Sequence, residues 1–302
     1  MVRVLAVALS FLAIVTLVVT VVERGEAPPR VGAAREASVA RAPEGETLGS
    51  GLHLAGSGSN LVVTRALAAA YRVAHPTERI VVHESIGSTG GVRAVADGAI
   101  AIGLVARPLN EREGGLGLSV HPYARVPITF LAHPDVRDGD ITTSEIVRSL
   151  HGETTSWRDG TPRVWLLRER GDAGSAVVAR HVTGFAEAAD EAIAQGRFRV
   201  VYHDDELTRA LLGLRGGIGI ADLAQARANA PTARILALDG RMPSVAGVTD
   251  GTYPLYKDLA FVVRDPSRED VARFLAFASS DEGRAVIAAS GAAPLPLEGG
   301  AP

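Results

Sequence analysis

The chain has 302 residues, of which 47% are hydrophobic and 22% charged, with a formal net charge of −3. That composition can build one large core or two domains of ordinary size, and it lacks the strongly basic face that nucleic-acid binding requires. Aromatic residues make up 5% and cysteine is absent, which argues against stacking platforms for single strands and removes disulfides, thiol nucleophiles and zinc–thiolate sites. Lys257 is the only lysine among 31 basic residues, a bias that codon usage in a GC-rich genome explains more simply than a demand for guanidinium groups.

Val4 to Val22 is an apolar run broken only by Ser10, Thr16 and Thr20, preceded by Arg3 and closed by Glu23 and Arg24. At about 1.5 Å per residue such a helix spans about 28 Å, the hydrocarbon thickness of a bilayer. No small-residue cleavage site follows Thr20-Val21-Val22, so residues 1–22 are read as an uncleaved transmembrane anchor in preference to a removed signal peptide. Either reading exports the chain to a periplasmic or other extracytoplasmic location. Residues 23–49, rich in Arg, Glu, Ala, Pro and Gly without apolar periodicity, read as a disordered linker.

From Gly51 onward the pattern is strand, glycine-rich loop, helix. His53–Ala55 predicts a strand, Gly56 to Asn60 a loop and Leu61–Arg72 a helix that Pro76 stops. Ile80–His83 is a β-branched strand, Gly87 to Gly91 a second loop, and Val92–Ala96 a helix. Ile100–Val105 and Val126–Ala132 are apolar strands, and Thr142-x-x-Glu145 is a capping box opening a helix. Val164–Leu167 is a strand that runs into the loop Arg168 to Ser175, with a helix from near Ala176. Phe198–Tyr202, Gly216–Ile220 and Leu259–Val263 complete the strands, Asp205–Leu212 is a helix, and Ser279-x-x-Glu282 predicts the cap of a final helix. Such alternation implies an α/β fold with mixed, mainly parallel sheets.

Three times, then, the chain leaves a strand through a Gly/Ser-rich loop and enters a helix. Glycine lets backbone approach a ligand, hydroxyls add donors, and a first helical turn offers unpaired N–H groups with partial positive charge. This is the chemistry of an oxyanion site, and in an open sheet loops at the carboxyl ends of strands converge on one crevice. One such loop is ordinary capping; three, the last carrying Arg168 and Arg170 beside Asp172, balance the two readings evenly.

Residues 52–297 resemble the phosphate-binding proteins of ABC-type phosphate importers, which have the two-lobed type 2 periplasmic-binding fold. The matching stretches are Gly56-Ser57-Gly58-Ser59-Asn60, Ile86 to Val92, Ile102 to Leu109, Ser144 to Trp157, Arg168 to Ser175, Gly216 to Ile220 and Ser280 to Gly283. The resemblance implies a first lobe of residues 50–127 plus 253–302, a second of 128–252, and a hinge whose closure on the ligand a partner reads. It places Ser59, Asn60 and the N–H of Leu61 on the anion, with Ser88 and Thr89 from the second loop, either Arg168 or Arg170 from the third, and Asp172, Gly174 and Ser175 closing it. Arg107 is expected at the cleft rim or in contact with the ligand. Some family members carry, after the strand equivalent to Ile100–Val105, an aspartate that accepts the proton of hydrogen phosphate; here Ala106-Arg107 stands in that place, leaving Asp172 or Glu84 as acceptors.

The function implied is capture of inorganic phosphate or a related oxyanion for the membrane subunits of an ABC importer, by a monomer that needs no cofactor or metal and contacts the membrane through its N-terminal segment. The alternative is a membrane-anchored sensor or assembly protein of the same fold with an altered or lost ligand. An enzyme is disfavoured, since no hydrolase, metalloprotease or nucleotide-binding motif occurs. His203-Asp204-Asp205 is the one tight polar trio, read as a helix start before a metal site.

Overall fold

The computed structural model describes residues 49–296; the apolar run and most of the linker lie outside them. In chain order the elements are β1 (Leu52–Gly56), α1 (Gly58–Ala74), β2 (Ile80–Val82), α2 (Gly87–Ala96), β3 (Ile102–Val105), α3 (Glu111–Gly114), β4 (Ser119–Ala132), β5 (Asp140–Ile141), α4 (Thr143–Leu150), β6 (Val164–Arg168) and α5 (Ala173–His181). There follow α6 (Phe185–Ala194), β7 (Arg199–Val201), α7 (Asp204–Leu212), β8 (Gly217–Asp222), α8 (Leu223–Asn229), β9 (Arg234–Leu238), α9 (Val245–Asp250), β10 (Tyr256–Val263), α10 (Glu269–Ser279), α11 (Asp281–Ala289) and β11 (Ala293–Pro294).

The strand order β2-β1-β3-β10-β4-β8-β6-β7 makes one curled sheet. Its outer pairs, β1 with β2 and β3 and β6 with β7 and β8, are parallel, whereas β10 and β4 run antiparallel through the middle. The long β4 joins the two halves. Its first part pairs β10, and its last five residues, Ile128–Ala132, pair β8.

Two large hydrophobic cores, with two smaller clusters beside them, sit on this frame. One gathers Leu54, Leu67, Tyr71, Leu104, Phe261 and Phe274, and the other gathers Phe130, Trp157, Trp165, Phe185, Ile218 and Leu236. Strand β4 contributes Tyr123, Ala124 and Val126 to the first, and Ile128, Phe130 and Ala132 to the second. Leu255 packs in the second core while Leu259 packs in the first. The molecule is therefore two-lobed, with neighbouring strands feeding both lobes.

Pro122 has no N–H to give to a ladder, and the β4–β10 register slips beside it, between Leu259 and Ala260. The slip leaves Tyr123 without an opposite residue, and its hydroxyl donates to Asn60 Oδ1 at 3.0 Å. The tyrosine at the slip thus contacts an asparagine at the start of α1.

Most predicted elements occur with shifted ends. The Thr142–Glu145 capping box forms as expected. The final helix is capped by Ser280, not by Ser279: Ser279 still belongs to α10 and bonds Ala276 O, while Ser280 leaves the helix and its Oγ accepts from Gly283 N at 3.1 Å. The sequence reading passed over α3, β5, α6, α8, β9, α9, α10 and β11, and it began β4 seven residues late, at Val126. Helix α6 (FAEAADEAIA) is so alanine-rich that its buried face, Phe185, Ala188 and Ala192, gives a faint periodic signal. Among the described residues, no helix is long and apolar enough to cross a membrane.

Candidate functional site

Helix α1 begins one turn earlier than its apolar pattern suggests, inside the first glycine loop, and Ser57 supplies no side-chain cap. The Ser57 side chain therefore covers none of its first-turn amides, although Asn60 N donates to Ser57 O at 3.1 Å. Ser59 Oγ accepts from Lys257 Nζ at 2.6 Å, and Lys257 stands 3.5 Å from Asp222 Oδ2. Gln225 Nε2 donates to Gly58 O at 3.0 Å, and Gln225 N donates to Asp222 Oδ1 at 2.8 Å. Asn60 is fully buried; with its oxygen bound by Tyr123, its Nδ2 has no partner among the described residues. Leu61 packs in the first core, one residue further along the same turn.

Gly87–Gly91, expected as the second loop, instead forms the start of α2 and is pressed against the sheet beside the end of β1. Gly56 has φ +150, and a Cβ there would lie 2.2 Å from Leu104 O. A Cβ on Gly91 would lie 2.9 Å from Ala55 O, so only glycine lets the start of α2 lie this close to β1. Ser88 Oγ accepts from Ala106 N at 3.4 Å. Thr89 Oγ1 accepts from Arg107 Nη2 at 2.8 Å, while the same guanidinium grips Glu113 bidentately at 2.7 and 2.8 Å. Glu113 is buried, closes a capping box with Asn110, and is held below the usual carboxylate range chiefly by Arg107. Nη1 and Nη2 of Arg107 are thus both engaged by their own neighbourhood.

The third loop resolves the two arginines differently. Arg170 reaches Asp190 at 2.7 Å, and both side chains are exposed. Arg168, the last residue of β6, is 8% exposed, with Nε 3.3 Å from Asp172 Oδ2 and Nη2 3.6 Å from Asp204 Oδ1. Its Nη1 has no partner among the described residues. Asp172 caps α5, accepting from Ser175 N at 2.8 Å, and Gly174 is buried behind it against Ile220 and Ile128. Burial pushes the Asp172 carboxyl up, but Arg168, Lys257 and the Ser175 amide outweigh it and hold it below its usual range. A cavity of about 230 Å³ adjoins this loop on the second-lobe side, between Arg168, Ser175, Phe185 and Ile220.

Three segments approach one another at Gly58. A Cβ there would lie 2.8 Å from Asp204 Oδ2 and 3.3 Å from Ser85 Oγ, so the start of α1, the approach to α2 and the start of α7 share one point. Arg168 joins it through Asp204, and Lys257 joins it through Ser59. Asp222 is fully buried behind Lys257; burial pushes its carboxyl up to about 6 against the pull of Lys257, and Asp204 adds to the rise. Glu84, one of the expected acceptors, instead pairs with Arg65 at 2.6 Å on the surface.

Lys257, Asp204, Asp222 and Gln225 went unnoticed as site residues in the sequence. A lone lysine in an arginine-rich chain was a usable signal for the first. Of the trio His203-Asp204-Asp205, His203 is the N-cap of α7, Asp204 turns to Arg168 and Asp205 pairs with Arg209; among the described residues no group of three or more His, Cys, Asp or Glu is placed to hold a metal.

Similarity to known proteins agrees with this architecture. Two curated proteins named phosphate-binding protein PstS 2, from strains of Streptococcus agalactiae, are each 28% identical over 106 residues, which is 35% of this chain. The match spans 36% of their own length. A Clostridium perfringens structure described as a phosphate ABC transporter substrate-binding protein with bound phosphate is 21% identical, covers 82% of this chain and 100% of its own, and superposes with a TM-score of 0.71. An ABC-type phosphate transport receptor from Vibrio cholerae is 18% identical, covers 81% of this chain and 100% of its own, and gives a TM-score of 0.58. At such identities the structures establish the fold. A family model described as the PBP superfamily domain matches residues 36–282, most of the chain, and the protein therefore belongs to the PBP superfamily domain family.

Proposed function

We propose that the chain is an extracytoplasmic solute-binding protein that captures phosphate, or a similar tetrahedral oxyanion, between its two lobes for an ABC importer. The observation that carries this reading is Arg168: a buried guanidinium with one nitrogen unpartnered, facing the uncapped start of α1 through Asp204. A buried cation with spare donors favours an anion that can accept from it. Ser59, Asn60 and the amide of Leu61 would supply donors from the first lobe, and Ser175 and Gly174 would line the second. Ser88 and Thr89 would stand at the adjoining edge, with Arg107 bracing that edge. Of the two arginines in the loop, Arg168 is the ligand contact in this reading.

The lobes are assigned as residues 50–127 plus 253–302 and 128–252, hinged where β4 and the run into β10 pass from one core to the other. The names of the relatives support phosphate and importer membrane subunits as partners, and an address outside the cytoplasm. In this reading the protein is a monomer held at the membrane by residues 4–22, and it carries out no catalysis. The reading is tested by calorimetric titration with phosphate, sulfate and molybdate. Micromolar or tighter binding of phosphate is the expected result, and no binding of any oxyanion would remove the reading.

One observation favours the alternative, a sensor or assembly protein that kept the fold but changed or lost the ligand. Asp172, Asp204 and Asp222 outnumber Arg168 and Lys257 at the site, so a dianion enters against an excess of negative charge. The same titration separates the two.

A further inference from the structure

Helices α5 and α6 turn small side chains toward each other. Ala176 and Ala179 on α5, and Ala186 and Ala189 on α6, stand three residues apart, the spacing that puts them on one face of each helix. They line the cavity of about 230 Å³, whose other walls include Leu167, Phe185, Ile193 and Ile220. Leu167, Phe185 and Ile220 are buried members of the second core, and Ile193 packs against it. Ala176 and Ala186 are exposed and mark the mouth. Protein interiors hold few voids larger than a water molecule, and an apolar cavity of about 150 Å³ admits benzene or xenon. The space between these alanines is therefore large enough for a small ligand.

The charges at the rim set the kind of occupant. Arg170 and Asp190 pair with each other at 2.7 Å, joining the loop to α6, and Arg168 pairs with Asp172. Both arginines thus already have a carboxylate. Glu169 is exposed at the rim and has no ion pair among the described residues, so the charge left over there is negative and turns anions away. A cation would have to leave water for walls of alanine, leucine, phenylalanine and isoleucine, which offer it no acceptor. An uncharged apolar molecule loses nothing by entering and gains the burial of its surface.

We propose that this cavity is a second ligand site, which takes a small uncharged apolar molecule of the size of a substituted benzene ring. Its rim shares Arg168, Asp172 and Ser175 with the loop assigned to the oxyanion, but its apolar walls have no part in that assignment, and the proposal does not depend on it.

The test is NMR titration of the full chain in phosphatidylcholine nanodiscs with toluene, inorganic phosphate omitted. It reads the methyl groups of Leu167, Ile193 and Ile220 in the parent protein, in Ala179→Leu and in Ala189→Leu. Toluene that merely dissolves in lipid does not move those methyl groups. The parent is expected to show saturable shifts at all three residues, with a Kd of about a millimolar or tighter. Each leucine fills the cavity from one of its two facing helices. Each variant is expected to weaken toluene binding by about tenfold or more and to keep a thermal midpoint at or above that of the parent. Absence of saturable shifts in the parent overturns the proposal, as does binding that persists in both variants. A lowered midpoint in both variants also overturns it, because a side chain that enters open space does not strain the fold. Loss of phosphate binding would be seen in a separate titration and would count against the oxyanion reading alone.

Discussion

Arg107 and Arg168 occupy matching places, each at the end of an apolar strand and beside a glycine-rich loop, yet their guanidinium groups live in opposite conditions. Arg107 has a bidentate carboxylate, a threonine hydroxyl and the carbonyl of Pro108. Arg168 has two long carboxylate contacts and one buried nitrogen without a partner among the described residues. The difference shows how to separate a structural arginine from a receptive one. A guanidinium whose planar fork is filled by a capped, buried Glu113 braces the loop around it, whereas one left under-satisfied retains the capacity to bind a ligand.

The sharpest way to break this comparison is Arg168→Ala. It is expected to weaken phosphate binding by about a hundredfold or more, about 3 kcal/mol, in calorimetry. Arg107→Ala should do the reverse: a loss of about 2 kcal/mol of stability, because Glu113 stays buried with its main partner gone, and less than about a threefold change in affinity. Urea unfolding and the same titration read the two effects, and an Arg107 variant that folds normally but loses phosphate would put the ligand in the first-lobe loop instead.

A smaller effect concerns Asp222, whose carboxyl is raised to about 6 by burial. The folded state then holds a proton that the unfolded chain, with an ordinary aspartate near 4, has released. This group's contribution to stability therefore falls as pH rises from about 4 to about 6 and is flat above that. Asp222→Asn should lack that fall when urea midpoints are compared across the interval; parallel curves for parent and variant would mean the carboxyl titrates normally. Smallest of all, Arg170→Ala removes an exposed pair with Asp190 and should change stability by less than about 0.5 kcal/mol and leave affinity unaltered.

Much of the frame was legible locally. The β-branched run at Ile80 and the Thr142–Glu145 cap depend on neighbours within a few residues and appear where expected, whereas Gly58–Asn60 and Gly87–Gly91, read as loops, form the first turns of α1 and α2. The misplaced cap shows the limit of that method: Ser279 and Ser280 are equally good cap residues, and the choice falls to Ser280 because the helix ahead must end with Ser279 inside its last turn and Gly283 tight against Phe277 O. Likewise the choice between Arg168 and Arg170 needed Asp190 from α6, an element whose alanine-rich sequence hid its face.

What the sequence by itself determined was the alternation of strand, glycine loop and helix, because propensity, capping and close backbone approach are properties of short stretches. Only the tertiary structure decided which charges share the site. Lys257 meets Ser59 across 198 positions of chain, and Asp204 reaches the start of α1 because two lobes fold against each other. Burial and the pairing of distant charges depend on the assembled shape, and no local pattern encodes them.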